Sequence, residues 1–252
     1  MKRSFDILAA FAGLLMLLPL LALIATLVSL ADGNTPWFRG VRVGRGGRRF
    51  RMVKFRTMIP DAWKSGVSST GAADCRITRM GKLLRRAKLD ELPQLWNVLI
   101  GDMSLVGPRP QVEADAALYS TEEQCLFETR PGITDLASIV FADEGEILAG
   151  SADPDLTYNQ IIRPWKSRLA LLYLERQSFT ADIQILWLTL LGAVSRKNAL
   201  RGVGCMLIAW GGDPLLCRMA ARSEPLLAWP PPGTARIVVE YRARLDRKAA
   251  QA

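Results

Sequence analysis

Asp90 and Glu91 stand side by side directly before Leu92-Pro93, in the run Leu89-Asp90-Glu91-Leu92-Pro93-Gln94-Leu95-Trp96-Asn97. Proline favours the first position of a helix and pushes the residue before it out of the helical region. Leu92 therefore reads as a cap, Pro93 as a helix start, and the two carboxylates as its approach. A helix N-terminus carries free N–H groups and partial positive charge, which favour anions. Arg79, Lys82, Arg85, Arg86 and Lys88 precede the pair, and Arg109 follows it, held between Pro108 and Pro110. Two carboxylates inside a basic collar suit a metal-bound, phosphate-bearing substrate. Ordinary capping beside a solvated basic helix face accounts for the same residues, and the chemistry of the stretch leaves both readings open.

Composition narrows the field. The 252 residues give room for one good-sized domain, or a domain and a tail. A formal net charge of +9 points to anionic partners, whether nucleic acid, phosphorylated substrates or acidic lipid surfaces. There is no histidine. That excludes histidine triads, histidine general bases and histidine-containing zinc sites, and leaves nucleophilic or acid–base work to carboxylates, lysines, hydroxyls and thiols. The four cysteines form no close-spaced pair and read as free thiols, with neither a zinc site nor a disulfide framework.

Several elements must position the pair. From Ile7 to Leu30 the chain carries no charge, enough to cross a bilayer as a helix. It is too long an apolar run for a good signal peptide. Pro19 lies mid-run, where it kinks a helix, and positive charge flanks both ends: Lys2 and Arg3 before, Arg39 to Arg51 after. A kinked helix that enters and leaves on one face meets both observations; a single-pass helix is the alternative. Val41–Val43 and Phe50–Met58 around Gly44-Arg45-Gly46-Gly47 predict a basic hairpin, suited also to anionic lipid headgroups. Residues 60–75 read as a mobile loop. Met80, Leu83, Leu84 and Ala87 share one helical face, with Arg79, Lys82 and Arg86 on another. Residues 111–130 read as a polar helix, 143–155 as an acidic surface loop, and 160–194 as two helices. Pro230–Gly233 reads as a turn and Ile237–Val239 as a short strand. For 200–252 the sequence suggests no function.

The wording of four ordered blocks goes further than their spacing. "LDELPQLWNVLIGDMSLVGPRP", "RVGRGGRRFRMVKFRTM", "RITRMGKLLRR" and Arg130-Pro131-Gly132-Ile133-Thr134 closely resemble the bacterial sugar transferases, the monotopic polyprenyl-phosphate phosphoglycosyl transferases that begin surface glycan assembly. The resemblance covers roughly residues 2–196. It implies an α+β, mostly helical fold: a re-entrant membrane helix over 1–35, kinked at Leu18-Pro19 where the family has Ser-Pro, then a catalytic domain over 36–196 with a small basic hairpin and amphipathic interfacial helices. Residues 197–252 remain a C-terminal extension. Asp135 and Ser138 stand where the family usually has glycine and glutamine.

By the same resemblance Asp90 is the nucleophile that attacks the β-phosphate of a UDP-sugar, releasing UMP, and Glu91 is the Mg²⁺ ligand. Polyprenyl (undecaprenyl) phosphate then takes the phosphosugar from the enzyme. Lys54, Arg56, Arg79, Arg85, Arg86 and Arg109 become candidate phosphate-binding residues. The implied partners are a UDP-sugar, polyprenyl phosphate and membrane lipids, with no nucleic acid; a homo-oligomer or downstream glycosyltransferases stay open. The implied place is the cytoplasmic face of a bacterial inner membrane, in exopolysaccharide, capsule, O-antigen or glycoprotein glycan synthesis. A non-catalytic, membrane-tethered basic binding module and a single-pass scaffold are the competing readings.

Overall fold

A long apolar helix, α1 (Lys2–Asp32), opens the computed structural model, which describes residues 1–62, 71 and 74–240. Pro19 sits inside this helix without interrupting it, and Leu18 faces outward. Ala10, Leu21, Ile24 and Val28 are buried along one stripe, whereas Leu8, Phe11, Leu15, Met16, Leu23 and Leu30 are exposed on the rest. Both ends are tied down. Lys2 Nζ donates to the Val106 carbonyl at 2.9 Å and to Asp182 at 2.5 Å, and Arg3 donates to the Val98 and Leu99 carbonyls at 2.7 and 3.0 Å. The buried Asp6 accepts from the Ser104 hydroxyl at 2.8 Å. At the far end Arg56 forks onto Asp32 at 2.5 and 2.6 Å.

The basic hairpin forms as expected, from β1 (Trp37–Val43) and β2 (Arg49–Phe55), antiparallel with Val43 opposite Arg49. It is shorter at its C-terminal end than the sequence suggests, because β2 stops at Phe55 and Met58 bridges to Ile77 instead. Most of the expected 60–75 loop falls outside the described residues. Helix α2 (Arg79–Arg86) begins at the Thr78 cap, whose hydroxyl accepts from Gly81 N–H at 2.9 Å. Gly81 lets this helix lie on the end of the hairpin: a Cβ there would stand 2.0 Å from the Thr57 carbonyl oxygen. Leu84 points into the body, but Leu83 is exposed, so the expected apolar face of α2 is split.

Helix α3 (Gln94–Ile100) follows a single 3-10 turn over Leu89–Glu91. Leu92 has helical angles (φ −53°, ψ −37°) and Pro93 is the cap, one residue later than the sequence predicts. The preceding 3-10 turn holds Leu92 in the conformation that proline disfavours. Short strands β3 (Ser104–Val106) and β4 (Gly132–Thr134) pair in parallel. The expected polar helix over 111–130 is broken into α4 (Glu113–Ala116), α5 (Thr121–Gln124) and a 3-10 turn over Cys125–Glu128, because Ser120 and Glu123 form a capping box that starts a new helix.

The main core gathers α6 (Leu136–Val140), α9 (Arg163–Glu175), α10 (Phe179–Val194), α11 (Arg196–Ala209) and α12 (Pro214–Ala221). Residues 197–240 thus share the core of the preceding body: Val203, Leu207 and Met219 are buried in it. From α12 to residue 240 the chain forms no further helix or strand. Trp229 packs on Trp165 with ring centroids 5.7 Å apart, and Gln160 donates to the Val238 carbonyl at 2.7 Å. No strand forms at 237–239; that side-chain bond serves Val238 instead. The acidic stretch at 143–155 carries short helices α7 (Glu144–Ile147) and α8 (Pro154–Thr157), and its charges are not simply solvated. Asp143 pairs with Arg196 and Arg222, both at 2.7 Å, and Glu144 pairs with Lys166. All four cysteines are free.

Candidate active site

Three backbone devices bring the site together. Lys88, just before the 3-10 turn, is held at φ 56°, a left-handed conformation that turns the chain sharply out of α2 and into the Asp90-Glu91 turn. Asn97 acts as a surrogate strand partner. Its amide donates to the Arg51 carbonyl at 2.8 Å and its oxygen accepts from Val53 N–H at 2.9 Å, which clamps α3 to β2 and sets Lys54 facing the carboxylates. Gly107 and Gly132 pass so close that a Cβ on Gly132 would stand 2.1 Å from the Gly107 nitrogen. That contact carries the Pro108-Arg109-Pro110 loop back to Glu91.

The two carboxylates have opposite surroundings. Glu91 is gripped by the Arg109 guanidinium, with one contact at 3.2 Å and a second, shorter one between Nη2 and Oε1. Burial alone would raise its pKa, but Arg109, with Lys54 and Lys88, holds it down at about 2. Asp90 is 5% exposed, and neither of its oxygens accepts a hydrogen bond from a described residue. Burial raises its pKa, the neighbouring Glu91 charge raises it further, and Lys54, Arg85 and Arg109 offset this only in part. Lys54 makes no ion pair among the described residues, and burial brings its pKa down to about 8. Arg85 donates to the Thr57 hydroxyl at 2.9 Å and acts on Asp90 through space.

Lys54, Arg85, Asp90, Glu91 and Arg109 therefore converge. Arg56 does not join them, because its guanidinium is spent on Asp32 and the Thr35 carbonyl. Arg79 and Arg86 stand exposed on α2, and neither is among the leading charges that act on either carboxylate. Two features were missed from the sequence. Gln94 lies four residues beyond Asp90 along right-handed backbone, hence on the same face, and its Nε2 is buried without an acceptor. The Glu144–Lys166 pair also acts on this region, its carboxylate reaching Arg109 electrostatically. Gln94 could have been suspected from its spacing; Lys166 carried no local signal.

A buried, unpartnered carboxylate beside one fixed by arginine, with a lysine and a second arginine facing both, is the layout of a group-transfer site for an anionic substrate. The comparisons with known proteins define the class. The family model for bacterial sugar transferases matches residues 1–196, and the chain belongs to that family. It is similar to the exopolysaccharide production protein ExoY of Rhizobium meliloti, 40% identical over 153 residues, covering 55% of this chain and 68% of that one. It is also 38% identical over 172 residues to the UDP-glucose:undecaprenyl-phosphate glucose-1-phosphate transferase of Caulobacter vibrioides, with 66% and 64% covered. Against the UDP-galactose-lipid carrier transferase of Erwinia amylovora identity is 34% over 215 residues, and the match spans 79% of this chain but 41% of the relative.

Proposed function

We propose that this transferase moves a phosphosugar from a UDP-sugar to polyprenyl phosphate through a covalent intermediate on Asp90. The observation that carries the reading is the state of Asp90: a buried carboxylate that no donor among the described residues occupies. Desolvation strips such an oxygen of the water that would blunt it as a nucleophile. One Asp90 oxygen attacks the β-phosphorus, forming a P–O bond. The bond from that phosphorus to the bridging oxygen breaks, and UMP departs with the electron pair. A phosphate oxygen of the polyprenyl carrier then attacks the same phosphorus and releases the Asp90 carboxylate. Arg109, Arg85 and Lys54 hold the phosphate oxygens, and arginine's planar fork suits them.

Glu91 is proposed as the protein ligand for Mg²⁺. Among the described residues no group of three or more acidic, histidine or cysteine side chains gathers, which fits a cation that takes one or two carboxylates and finds its other oxygens on substrate phosphates. When bound, Mg²⁺ would neutralise diphosphate charge, and Glu91, now held by Arg109, would be the carboxylate that holds it.

The same proposal extends to the membrane, on the support of α1. A single-pass helix leaves its domain at one end, whereas here Lys2, Arg3 and Asp6 bind at one end and Val28 and Asp32 at the other. The outward residues of α1 form one apolar surface with Trp96 and Ile100 of α3, and Phe5 meets Phe179 of α10 edge-on at 5.4 Å. Exposed apolar side chains along a helix suit contact with lipid. We read α1 as re-entrant, with the site at the cytoplasmic face of the inner membrane, where a soluble nucleotide sugar can meet a lipid-borne acceptor.

The test is UMP release from a panel of UDP-sugars, with polyprenyl phosphate, Mg²⁺ and detergent, run alongside Asp90→Asn. Incubation without the lipid acceptor should leave a phosphosugar adduct on the intact wild-type mass and none on the variant. Release that survives in Asp90→Asn would overturn the assignment.

A further inference from the structure

Arg109 borders a second feature. It lines a cleft together with Gln111, Asp135, Ser138, Tyr158 and Lys166. The floor is apolar, formed by Leu126, Phe127 and Ala137, while the walls carry polar groups. Lys166 is fixed by Glu144 and lies 5.3 Å from the centre of the Tyr158 ring.

Asp135 is the unusual member of this wall. It caps α6: its Oδ1 accepts from Ser138 N–H at 2.7 Å, and the Ser138 hydroxyl accepts from Asp135 N–H at 3.0 Å. The capping box thus occupies one carboxylate oxygen. The other, Oδ2, accepts nothing from the described residues, although the side chain is buried. Arg109 and Lys166 act on this carboxyl through space, but neither forms an ion pair with it. An open carboxylate oxygen in a cleft wall can accept a donor from a ligand there.

We propose that this cleft takes the sugar of the donor and that Asp135 reads one of its hydroxyls, selecting a neutral hexose with free hydroxyls over an N-acetylated or carboxylated sugar. The inference rests on the UDP-sugar reading above. Connectivity supports it: the sugar is one bond from the phosphate group under attack, so its pocket must share a wall with the residue holding that phosphate, and Arg109 is that wall. Polarity supports it as well. A hexose offers hydroxyl donors around its ring. An N-acetyl group brings a carbonyl acceptor and a methyl, and a uronate brings a like charge. Uracil presents two carbonyl acceptors around a single N–H, so most of its edge would meet Oδ2 lone pair to lone pair.

Asp135→Asn gives a clean test. Asparagine caps a helix as well as aspartate does, so its oxygen can keep the Ser138 bond while an N–H₂ donor replaces the open oxygen. The readout is the ratio of kcat/KM for UMP release between UDP-hexoses and UDP-N-acetylhexosamines in one preparation, since that donor ratio does not depend on the fraction folded. Wild type should prefer a hexose, and Asp135→Asn should lower that preference about 10- to 100-fold. Asp135→Ser, which also caps, should lower it similarly. An unchanged donor ratio in both variants overturns the inference and leaves the reaction class standing. An equal fall for every donor, with weakened inhibition by UMP, would assign the cleft to the nucleotide and overturn it too. Absence of UMP from every donor in wild type would instead fail the proposed function itself.

Discussion

Two of the arginine–glutamate pairs, Arg163–Glu123 and Arg109–Glu91, differ in a way that separates scaffold from site. In the Arg163–Glu123 pair the carboxylate is fully buried and every direction is filled. Oε1 accepts from Arg163 Nε at 3.1 Å and Ser167 at 2.7 Å, while Oε2 takes a second Arg163 nitrogen and Ser120 N–H at 3.0 Å. Arg163 also reaches Asn159 and the Leu118 carbonyl, both at 3.0 Å. Such a network has no capacity left for a ligand. The Arg109–Glu91 pair is half open by contrast: Arg109 is partly exposed, Asp90 beside it is unpartnered, and Lys54 makes no ion pair. The same two residue types make a rivet where their hydrogen bonds are saturated and a binding site where they are not.

The largest expected effects test this contrast directly. Asp90→Asn should reduce UMP release by at least about a thousandfold, as loss of a covalent nucleophile does. Its thermal midpoint should hold or rise, because the charge removed is buried and makes no hydrogen bond. Glu123→Ala should do the reverse. It strands a buried guanidinium and should cost about 3–5 kcal/mol of stability, while kcat/KM per folded molecule at low temperature stays within a few-fold. If Asp90→Asn unfolds the protein as readily as Glu123→Ala, the distinction between the pairs is lost.

Arg109→Lys should come next. Lysine keeps the charge but loses the fork, and about a hundredfold fall in kcat/KM is expected, with a smaller drop in thermal midpoint than Glu123→Ala gives. The pH profile of UMP release sharpens the same point. Asp90's raised pKa places the ascending limb above the ordinary aspartate range. Lys54 loses its proton at about 8 rather than 10.5, so release should fall about tenfold for each pH unit above that value if its ammonium holds phosphate. Lys54→Arg should move the descending limb out of reach. A limb that stays put in Lys54→Arg would show that another group titrates there.

How much of this was legible in the sequence depended on distance along the chain. The carboxylate pair, the hairpin, the long apolar helix and helices α9 and α10 all announce themselves through neighbouring residues. The parallel β3–β4 pair has three residues in each strand, too few to show a period. The acidic stretch at 143–155 looked solvated because its partners Lys166, Arg196 and Arg222 lie far downstream. The 197–240 segment offered no motif, yet its apolar helices complete the core. Within the site the resemblance located Lys54, Arg85 and Arg109 with the carboxylates, but it also drew in Arg56, whose partner Asp32 can be found only in three dimensions. The open oxygen of Asp135 is invisible in one dimension, since sequence shows a carboxylate but not which of its lone pairs is spent.

The smallest expected effect concerns the turn that aims the pair. Lys88 holds a left-handed backbone that its side chain disfavours, two residues before Asp90. Glycine adopts that conformation freely, so Lys88→Gly should stabilise the fold by about 0.5–1 kcal/mol, a gain reduced by the greater freedom of glycine in the unfolded chain. Lys88 also adds to the positive potential that keeps Glu91 ionised. The same substitution should therefore cost a few-fold in kcat/KM while the thermal midpoint rises. That opposition of stability and activity is what an open, strained site predicts and a saturated network does not. Equal losses in both would mean that the lysine side chain, rather than the turn, holds the carboxylates in place.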